Sequence, residues 1–231
     1  QNGVVTLHNF LTPGTITELV NEAKSCSGLA YFTNSTHNVY LTPQNESLGP
    51  EHIFNRQLSS SKGCITTDQV PKHSKLKELY FSDIFKNFIS SVVEEEALYE
   101  YADPLSSINV HYAAEGQELN WHFDNSKFAI TLLLQAPDSG GNFEYVSDLR
   151  NAEKNEMNFA GVEAVLNGKT AINRLDTRPG TLILFRGKNS IHRVTPTKGA
   201  RERILVVLAY NSKPGISLSE SARMTFFGRL Q

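Results

Sequence analysis

Apolar residues in the first hundred positions recur with the period of a helix. Ile16, Leu19, Val20 and Ala23 follow the i, i+3, i+4, i+7 spacing of one helical face, and Thr15-Ile-Thr-Glu18 before them has capping-box spacing. A second stripe, between residues 74 and 97, predicts another helix with a break near Asp83. Residues 4–10 read as a short strand ahead of both helices.

The segment from residue 30 to residue 73 has no sustained periodicity. It is rich in Ser, Thr, Asn and Gly, which favours a long excursion over a core element. Such a segment either covers an active site or is a surface elaboration without substrate contact, and the pattern leaves both readings open.

From residue 106 onward the pattern favours strands. Short apolar runs separated by turn signals are SINVHYAA, LNWHFDNSKFAITLLLQ, GNFEYV, TLILF, IHRVT and RILVVLAY. One helix is predicted among them, with Phe159, Val162, Val165 and Leu166 on one face and Gly168 as its C-terminal stop. The order is compatible with a double-layered jelly roll whose two sheets form an open-ended sandwich with a site in its mouth.

Length and charge narrow the class of protein. A chain of 231 residues can form one compact domain, which we expect to comprise a helical and irregular N-terminal part (1–105) and a jelly-roll core (106–231). With 22 basic and 24 acidic residues in no block, the net charge of −2 suggests neither nucleic acid nor an anionic membrane as a partner. No apolar run approaches the roughly 18 residues of a membrane span.

The two cysteines, Cys26 and Cys64, form neither a metal-spaced pair nor a disulfide framework. A cytoplasmic location is therefore the expectation. A homodimer is left open.

Candidate metal ligands lie in the run LNWHFDNSKF. His122 and Asp124 are two residues apart at the start of a strand-like segment, where a period of two turns both side chains to one face. Two imidazoles and one carboxylate on one side of a metal form the facial triad of non-haem Fe(II) oxygenases. The second imidazole is predicted to come from His192, in the segment RPGTLILFRGKNSIHRVTP.

A strand that follows His192 carries two arginines, Arg201 and Arg203, on one face. The planar guanidinium of either could hold the distal carboxylate of a keto acid such as 2-oxoglutarate through two hydrogen bonds. Spacing alone does not choose between them.

Five blocks resemble the Fe(II)/2-oxoglutarate dioxygenase superfamily. They are WHFDNSKFAITLLLQ, GGNFEYVSDLRN, RPGTLILFRGKNSIHRVTP, RILVVLAYNSKPG and FFGR, and they resemble most a branch of free amino-acid hydroxylases and radical halogenases. The resemblance implies a double-stranded β-helix fold, Fe(II) bound by His122, Asp124 and His192, and 2-oxoglutarate and O2 as cosubstrates. The first hundred residues match this branch much less clearly.

The resemblance also assigns the cosubstrate site. Arg203 falls on the position of the cosubstrate-binding arginine, and Arg201 falls in the preceding turn. Many members have Ser or Thr two residues after that arginine, but this chain has Leu205. The second contact to the carboxylate is therefore expected from elsewhere, with Tyr112 and Asn109 as candidates.

Substrate contacts are harder to read from the sequence. Asn125 follows the ligand aspartate, and Phe226 and Phe227 match an aromatic pair that closes the substrate pocket in the resembling branch. His111 on the preceding strand could line the pocket, and Arg56 could pair with the carboxylate of an amino acid. For a cationic substrate the candidate acids are Glu115, Glu118 and Glu144.

Three functions follow from these observations. The leading hypothesis is a 2-oxoglutarate-dependent hydroxylase of a free amino acid or similarly small, polar metabolite. The alternatives are a peptide or protein hydroxylase of the prolyl type, and a metal-binding sensor module without turnover. In the halogenating relatives a glycine stands at the carboxylate position of the motif, so the presence of Asp124 predicts hydroxylation instead of chlorination.

Overall fold

The computed structural model describes residues 3–231, which form an antiparallel sheet curled into a half-barrel and covered by helices. The strands are β1 (Val4–Leu7), β2 (Tyr31–His37), β3 (Leu58–Ile65), β4 (Ile108–Ala113), β5 (Leu119–His122), β6 (Ala129–Gln135), β7 (Ser139–Gly140), β8 (Phe143–Val146), β9 (Asn173–Arg174), β10 (Leu182–Phe185), β11 (Ile191–Val194), β12 (Thr197–Lys198) and β13 (Arg203–Leu208). The helices are α1 (Pro13–Cys26), α2 (Lys75–Phe81), α3 (Asp83–Val93), α4 (Phe159–Leu166) and α5 (Glu220–Phe227). Within residues 3–231 no helix combines the length and the apolar character that crossing a bilayer requires.

The half-barrel has two walls. We call the row β1-β10-β6-β13-β4-β3, with β2 at its edge, the long wall, and the row β5-β11-β8-β9 the short wall. They join where Ser60 of β3 pairs with Leu119 of β5. All named strand pairs are antiparallel, and β7 and β12 form a separate two-stranded sheet. The predicted jelly-roll architecture is confirmed.

The long wall separates the hydrophobic core from a cavity. Alternate side chains of each strand point to opposite faces. On β4, Val110 and Tyr112 pack with the helical layer, whereas His111 lines the cavity. The same division holds on β13, where Ile204 and Val206 are in the core and Arg203 points to the cavity. The helical layer is built by α1, α2 and α3, which contribute Leu19, Ala23, Leu76, Tyr80, Phe85 and Ile89 to this core.

Helix α1 begins one turn before the predicted capping box. Its N-cap is Thr12, whose hydroxyl accepts a hydrogen bond from the Thr15 amide at 3.3 Å, and Pro13 occupies the first turn, where a missing N–H costs nothing. The predicted break near Asp83 is confirmed, because Ser82 separates α2 from α3 and caps the Phe85 amide. The helix predicted from the apolar face of Phe159, Val162, Val165 and Leu166 is present as α4.

The expectation that residues 30–73 contain no core element is wrong. Strand β3 lies inside the long wall, between β4 and β5, and β2 pairs with it along seven residues from Tyr31 to His37. Its sequence, LSSSKGCI, is polar because Ser60 and Lys62 face the cavity rather than a hydrophobic core. The polar composition of an interior strand concealed its position.

The run around the predicted metal motif forms two strands instead of one. The chain leaves β5 after His122 and enters β6 at Ala129. In between, the Phe123 amide donates to Val39 O at 2.7 Å and the Asp124 amide donates to Gly187 O at 3.0 Å. These bonds tie the connection to two other loops and fix the path of the chain at Asp124.

Candidate metal centre and its cavity

The structure brings His122, Asp124 and His192 together at the cavity edge of the short wall. His122 ends β5 and pairs in register with His192 of β11, which places the two imidazole rings 4.1 Å apart, centroid to centroid. Asp124 Oδ1 lies 3.6 Å from the Nε2 atom of each histidine. One ligand atom from each residue lies within 4.8 Å of the others.

Hydrogen bonds to the backbone orient both imidazoles. His122 Nδ1 lies 2.8 Å from Asn120 O, and His192 Nδ1 lies 3.0 Å from Ser190 O. Because a carbonyl oxygen only accepts, each Nδ1 carries the proton and each Nε2 presents a lone pair towards Asp124. Both rings are therefore held in the tautomer that a metal ligand requires.

The carboxylate of Asp124 has an acceptor without a partner. Its Oδ2 is buried and makes no hydrogen bond to any of residues 3–231. The other oxygen, Oδ1, faces both Nε2 atoms, and a cation held between these three atoms would compensate the burial of the carboxylate. The donor set of two nitrogens and a carboxylate fits a divalent transition metal such as Fe(II).

The electrostatics of His122 and Asp124 agree with that fit. Burial lowers the pKa of His122 to about 3, and the nearby His192 ring acts in the same direction. For Asp124, burial favours the neutral acid, but His192, His122 and Lys62 together outweigh it and lower the pKa of the carboxyl. A neutral imidazole and an ionised carboxylate are the forms in which these side chains bind metals.

Gly187 provides the space that the Asp124 carboxylate occupies. A Cβ atom at position 187 would overlap Oδ2 of Asp124 and lie 2.6 Å from its Cγ. The loop cannot easily retreat, because Arg150 Nε donates to Lys188 O at 2.7 Å while the Arg150 guanidinium covers the Phe123 ring at 4.1 Å. Sequence reasoning did not single out Gly187, and only its place three residues before Ser190, in the loop leading to His192, hints at such a role.

A cavity of about 800 Å³ extends from the metal centre between the two walls. Apolar side chains of the long wall, including Leu133, Ile183 and Phe185, line its interior. The outer part is lined by uncharged polar side chains: Thr33, Ser35, Thr36, Asn38, Thr42, Gln44, Gln57, Asn125, Thr177, Ser219, Ser221 and Thr225. Asp124 is the only acidic side chain among the described lining residues.

Two cations lie within this cavity. Arg203 is buried, and burial lowers its pKa to about 10, which still leaves the guanidinium charged at neutral pH. Lys62 on β3 also lines the cavity, and its ammonium lies 3.4 Å from His111 Nδ1. Burial, with the charges of Lys62 and Arg203, lowers the pKa of His111 well below its usual value, so this ring is neutral.

The alternatives for the cosubstrate site lie in different surroundings. Arg203 points into the cavity, whereas Arg201 is exposed and pairs with Asp138 at 3.3 Å. The hydroxyl of Tyr112 donates to Ala23 O at 2.6 Å on the helical side of the long wall. The Asn109 amide donates to Leu105 O and Ile108 O and lines a smaller cavity of about 180 Å³.

The residues predicted to contact substrate are only partly brought together. Asn125, His111 and Phe226 line the main cavity. Phe227 is buried beneath α5 against Cys64 and Leu105, so it anchors this helix beside the cavity. Arg56 is exposed, donates to Asn167 Oδ1 at 3.1 Å and does not line the cavity.

None of the three candidate acids lines the cavity. Glu144 is buried in ion pairs with Arg174 and Arg193, each at 2.7 Å. Glu115 is exposed and Glu118 is partly exposed. A cationic side chain of a substrate would thus find no counter-ion from this set.

Two cavity residues, Lys62 and His37, were missed by sequence reasoning. The Nε2 atom of His37 lies 2.7 Å from Ser60 Oγ, and its ring meets that of His122 edge-on with centroids 6.0 Å apart. His37 lies on β2 and Lys62 lies on β3, in a segment that was predicted to be an irregular excursion. The run LSSSK has no apolar alternation, so its sequence offered no signal of a strand.

A known protein family matches most of the chain. The family model described as Halogenase D matches residues 53–225. No curated protein matches the chain by sequence.

Several solved structures share the fold. A carbocyclase, SnoK from nogalamycin biosynthesis, superposes with a TM-score of 0.63 and 12% identity, covering 96% of this chain and 86% of that chain. An oxidoreductase of the 2OG-Fe(II) oxygenase family from Burkholderia pseudomallei gives 0.56 and 12%, with 93% and 88% coverage. HygX from Streptomyces hygroscopicus, whose structure has nickel, 2-oxoglutarate and hygromycin B bound, gives 0.59 and 13%, with 94% and 86% coverage. The chain therefore has the jelly-roll fold found in 2-oxoglutarate oxygenases.

Proposed function

The chain belongs to the Halogenase D family, and from this premise we propose that it is an Fe(II)- and 2-oxoglutarate-dependent dioxygenase that oxidises an unactivated C–H bond of a small polar metabolite. The substrate we favour is a free amino acid without a cationic side chain, and the favoured outcome is hydroxylation. The observation that carries the proposal is the convergence of two oriented imidazoles and the Asp124 carboxylate, whose Oδ1 lies 3.6 Å from both Nε2 atoms, at the edge of a cavity that also holds a buried arginine.

His122, Asp124 and His192 would hold the metal, and Arg203 would hold the distal carboxylate of 2-oxoglutarate. Fe(II) with 2-oxoglutarate and O2 supplies an oxidant strong enough for an unactivated C–H bond. The guanidinium of Arg203 fixes the cosubstrate by a charge-assisted contact, because it stays ionised and no acid of residues 3–231 pairs with it.

The walls of the cavity exclude water from the reacting atoms. Leu133, Ile183 and Phe185 supply an apolar surface beside the metal centre. Phe226 closes the cavity from α5, whose position is held by the buried Phe227. Exclusion of water prevents side reactions at the carbon atom that is oxidised. It also strengthens the polar contacts that orient the ligands.

The lining of the outer cavity supports a substrate that is small and polar and whose side chain carries no positive charge. Its hydroxyl and amide groups can hydrogen-bond a polar metabolite, and Asp124, the only acid among the described lining residues, is assigned to the metal. The α-ammonium of an amino acid brings its own α-carboxylate, whereas a lysine-like side chain would add a second ammonium without a counter-ion, close to two positive charges. Burying an unpaired ammonium there would be strongly unfavourable.

Asp124 is also the reason for proposing hydroxylation in a family named for halogenation. In the halogenating relatives that the sequence resembles, a glycine at this position vacates a coordination site for chloride. Here the carboxylate extends towards both imidazoles, 3.6 Å from each Nε2. It occupies the place that a halide would need.

The test is a substrate screen read by succinate release and by product mass. Purified protein is supplied with Fe(II), 2-oxoglutarate and O2, and neutral, acidic and basic amino acids are compared with short proline-containing peptides. We expect oxygen-dependent succinate and a product 16 mass units heavier from an uncharged or acidic amino acid. Coupled turnover with peptides alone would favour the prolyl-type alternative, and metal binding without any succinate would favour the sensor alternative.

The matched control for the screen is Asp124→Ala, which keeps the fold and both imidazoles but removes the carboxylate. Loss of succinate formation in this variant, with an unchanged melting temperature, would tie turnover to the proposed centre. Equal succinate formation by both proteins would mean that the activity comes from elsewhere.

A further inference from the structure

The cavity contains one more cation than the cosubstrate arginine. Lys62 and Arg203 both line it, and neither forms an ion pair with any acid among residues 3–231. The sole polar contact of the Lys62 ammonium in this described part of the chain is His111 Nδ1 at 3.4 Å. Since an ammonium can only donate, His111 accepts from it and gives it no compensating negative charge.

Sheet register places the two cations on the same rung of the long wall. Arg203 of β13 pairs with Ala113 of β4. On the other side of β4, Gly63 of β3 pairs with Tyr112. Because these strands are antiparallel, the preceding residue Lys62 lies opposite the following residue Ala113. With neighbouring strands about 4.8 Å apart, the two backbones are about 10 Å apart, a gap that a lysine and an arginine side chain can close over the small alanine.

The Lys62 ammonium lies near the position in β13 where a side-chain hydroxyl is missing. Leu205 stands where many resembling enzymes have a hydroxyl that contacts the distal carboxylate. His111 pairs directly with Leu205 across β4 and β13, and Lys62 reaches this point through its contact with His111. The Lys62 ammonium is thus a hydrogen-bond donor close to Leu205, whose side chain cannot donate.

Two cations that share one cavity without an ion-pair partner are unfavourable in the free protein. Burial lowers the pKa of the Lys62 ammonium, and Arg203 acts in the same direction, although Cys64 and Asp124 oppose it. Such a pair is a poor structural element, because removing one charge would relieve both desolvation and repulsion. It is a good site for a carboxylate, which would neutralise it and accept hydrogen bonds from both heads.

We propose that Lys62 is a second cosubstrate-binding residue, which clamps the distal carboxylate of 2-oxoglutarate together with Arg203 across Ala113. This rests on the proposed function, because it concerns the ligand of the same centre. Lys62 then takes the part of the hydroxyl that Leu205 replaces, and His111 orients its ammonium.

Equilibrium binding without turnover tests the clamp. The Fe(II)-loaded protein is titrated under argon with 2-oxoglutarate and, separately, with 2-oxopentanoate, which has a methyl group in place of the distal carboxylate. Wild type is compared with Lys62→Met, Arg203→Met and the surface control Lys198→Met. Melting temperatures of the ligand-free proteins are measured in parallel.

We expect Lys62→Met to weaken 2-oxoglutarate binding by about 10- to 100-fold, the usual effect of losing a charged hydrogen bond. Binding of 2-oxopentanoate should change little, and the ligand-free melting temperature should stay the same or rise. A merely structural lysine would instead lower the melting temperature and weaken both ligands alike.

Other outcomes would overturn the assignment. Unchanged 2-oxoglutarate affinity in Lys62→Met, with a loss in Arg203→Met, would leave the proposed function standing and remove Lys62 from the subsite. If wild type fails to bind 2-oxoglutarate at all, the proposed function itself fails.

Discussion

Replacing Gly187 by alanine should displace the Asp124 carboxylate. The added Cβ would lie 2.6 Å from Asp124 Cγ, 3.0 Å from its Cβ and in overlap with Oδ2, all well inside van der Waals contact. The loop is fixed by the bond from Asp124 N to Gly187 O, by that from Gly187 N to Phe185 O and by the anchor of Lys188 O on Arg150. The carboxylate is therefore the part that moves.

The expected magnitudes follow from that overlap. Overpacking a fixed site costs about 1–3 kcal/mol of stability. A change that misorients a metal ligand costs about 10- to 100-fold in metal affinity. Fe(II) titration under argon and thermal unfolding measure the two quantities in wild type and Gly187→Ala. Gly49→Ala is the matched control, because a Cβ at Gly49 meets no atom within 4 Å.

A double-mutant cycle separates this mechanism from a general loop defect. Asp124→Gly removes the atoms that a Cβ at position 187 would strike, so adding Gly187→Ala to it should cost little further stability. Strict additivity of the two stability changes, or wild-type metal affinity in Gly187→Ala, would refute the steric reasoning.

The remaining predictions concern the three proposed ligand sites. His192→Ala should lose turnover and weaken metal binding severely, because two ligands rarely retain the ion; full activity would contradict the assignment. Arg203→Ala should raise the KM for 2-oxoglutarate far more than the KM for the primary substrate, and the reverse result, with Arg201→Ala giving that effect, would mean that the exposed arginine binds the cosubstrate. Wild-type products made in high chloride should contain no chlorinated species by mass spectrometry, and a substantial mono-chlorinated product would show that Asp124 does not ligate iron.

Local sequence spacing was sufficient for the parts of the fold and site that depend on neighbouring residues. His122 and Asp124 are recognisable from their spacing, although β5 ends at His122 and hydrogen bonds to other loops fix Asp124. The apolar stripes give α2, α3 and α4 their faces. The helix break at Ser82 also follows from local capping chemistry. Propensity and periodicity act over a few residues, so they are legible in one sequence.

Strand β3 shows where such reasoning fails. Its cavity-facing positions are polar because they meet ligands and solvent instead of hydrophobic side chains, so LSSSKGCI lacks the apolar alternation of a core strand. A strand that lines a polar cavity resembles a loop in composition. Because this segment was predicted to be irregular, His37 and Lys62 were not predicted to line the cavity.

Sequence by itself determined the types of residue that a metal and a keto acid need, and the chain order in which they occur. Tertiary structure alone decided which of them meet. The register sets His192 against His122, the start of β13 directs Arg203 into the cavity while Arg201 before it pairs with Asp138, and the loop places Gly187 against Asp124. The physical reason is that strand pairing joins residues far apart in the chain, and a one-residue change in register would turn each side chain to the opposite face. Contacts of this kind, Lys62 beside Ala113 and Arg203 included, depend on that register and not on any spacing within the sequence.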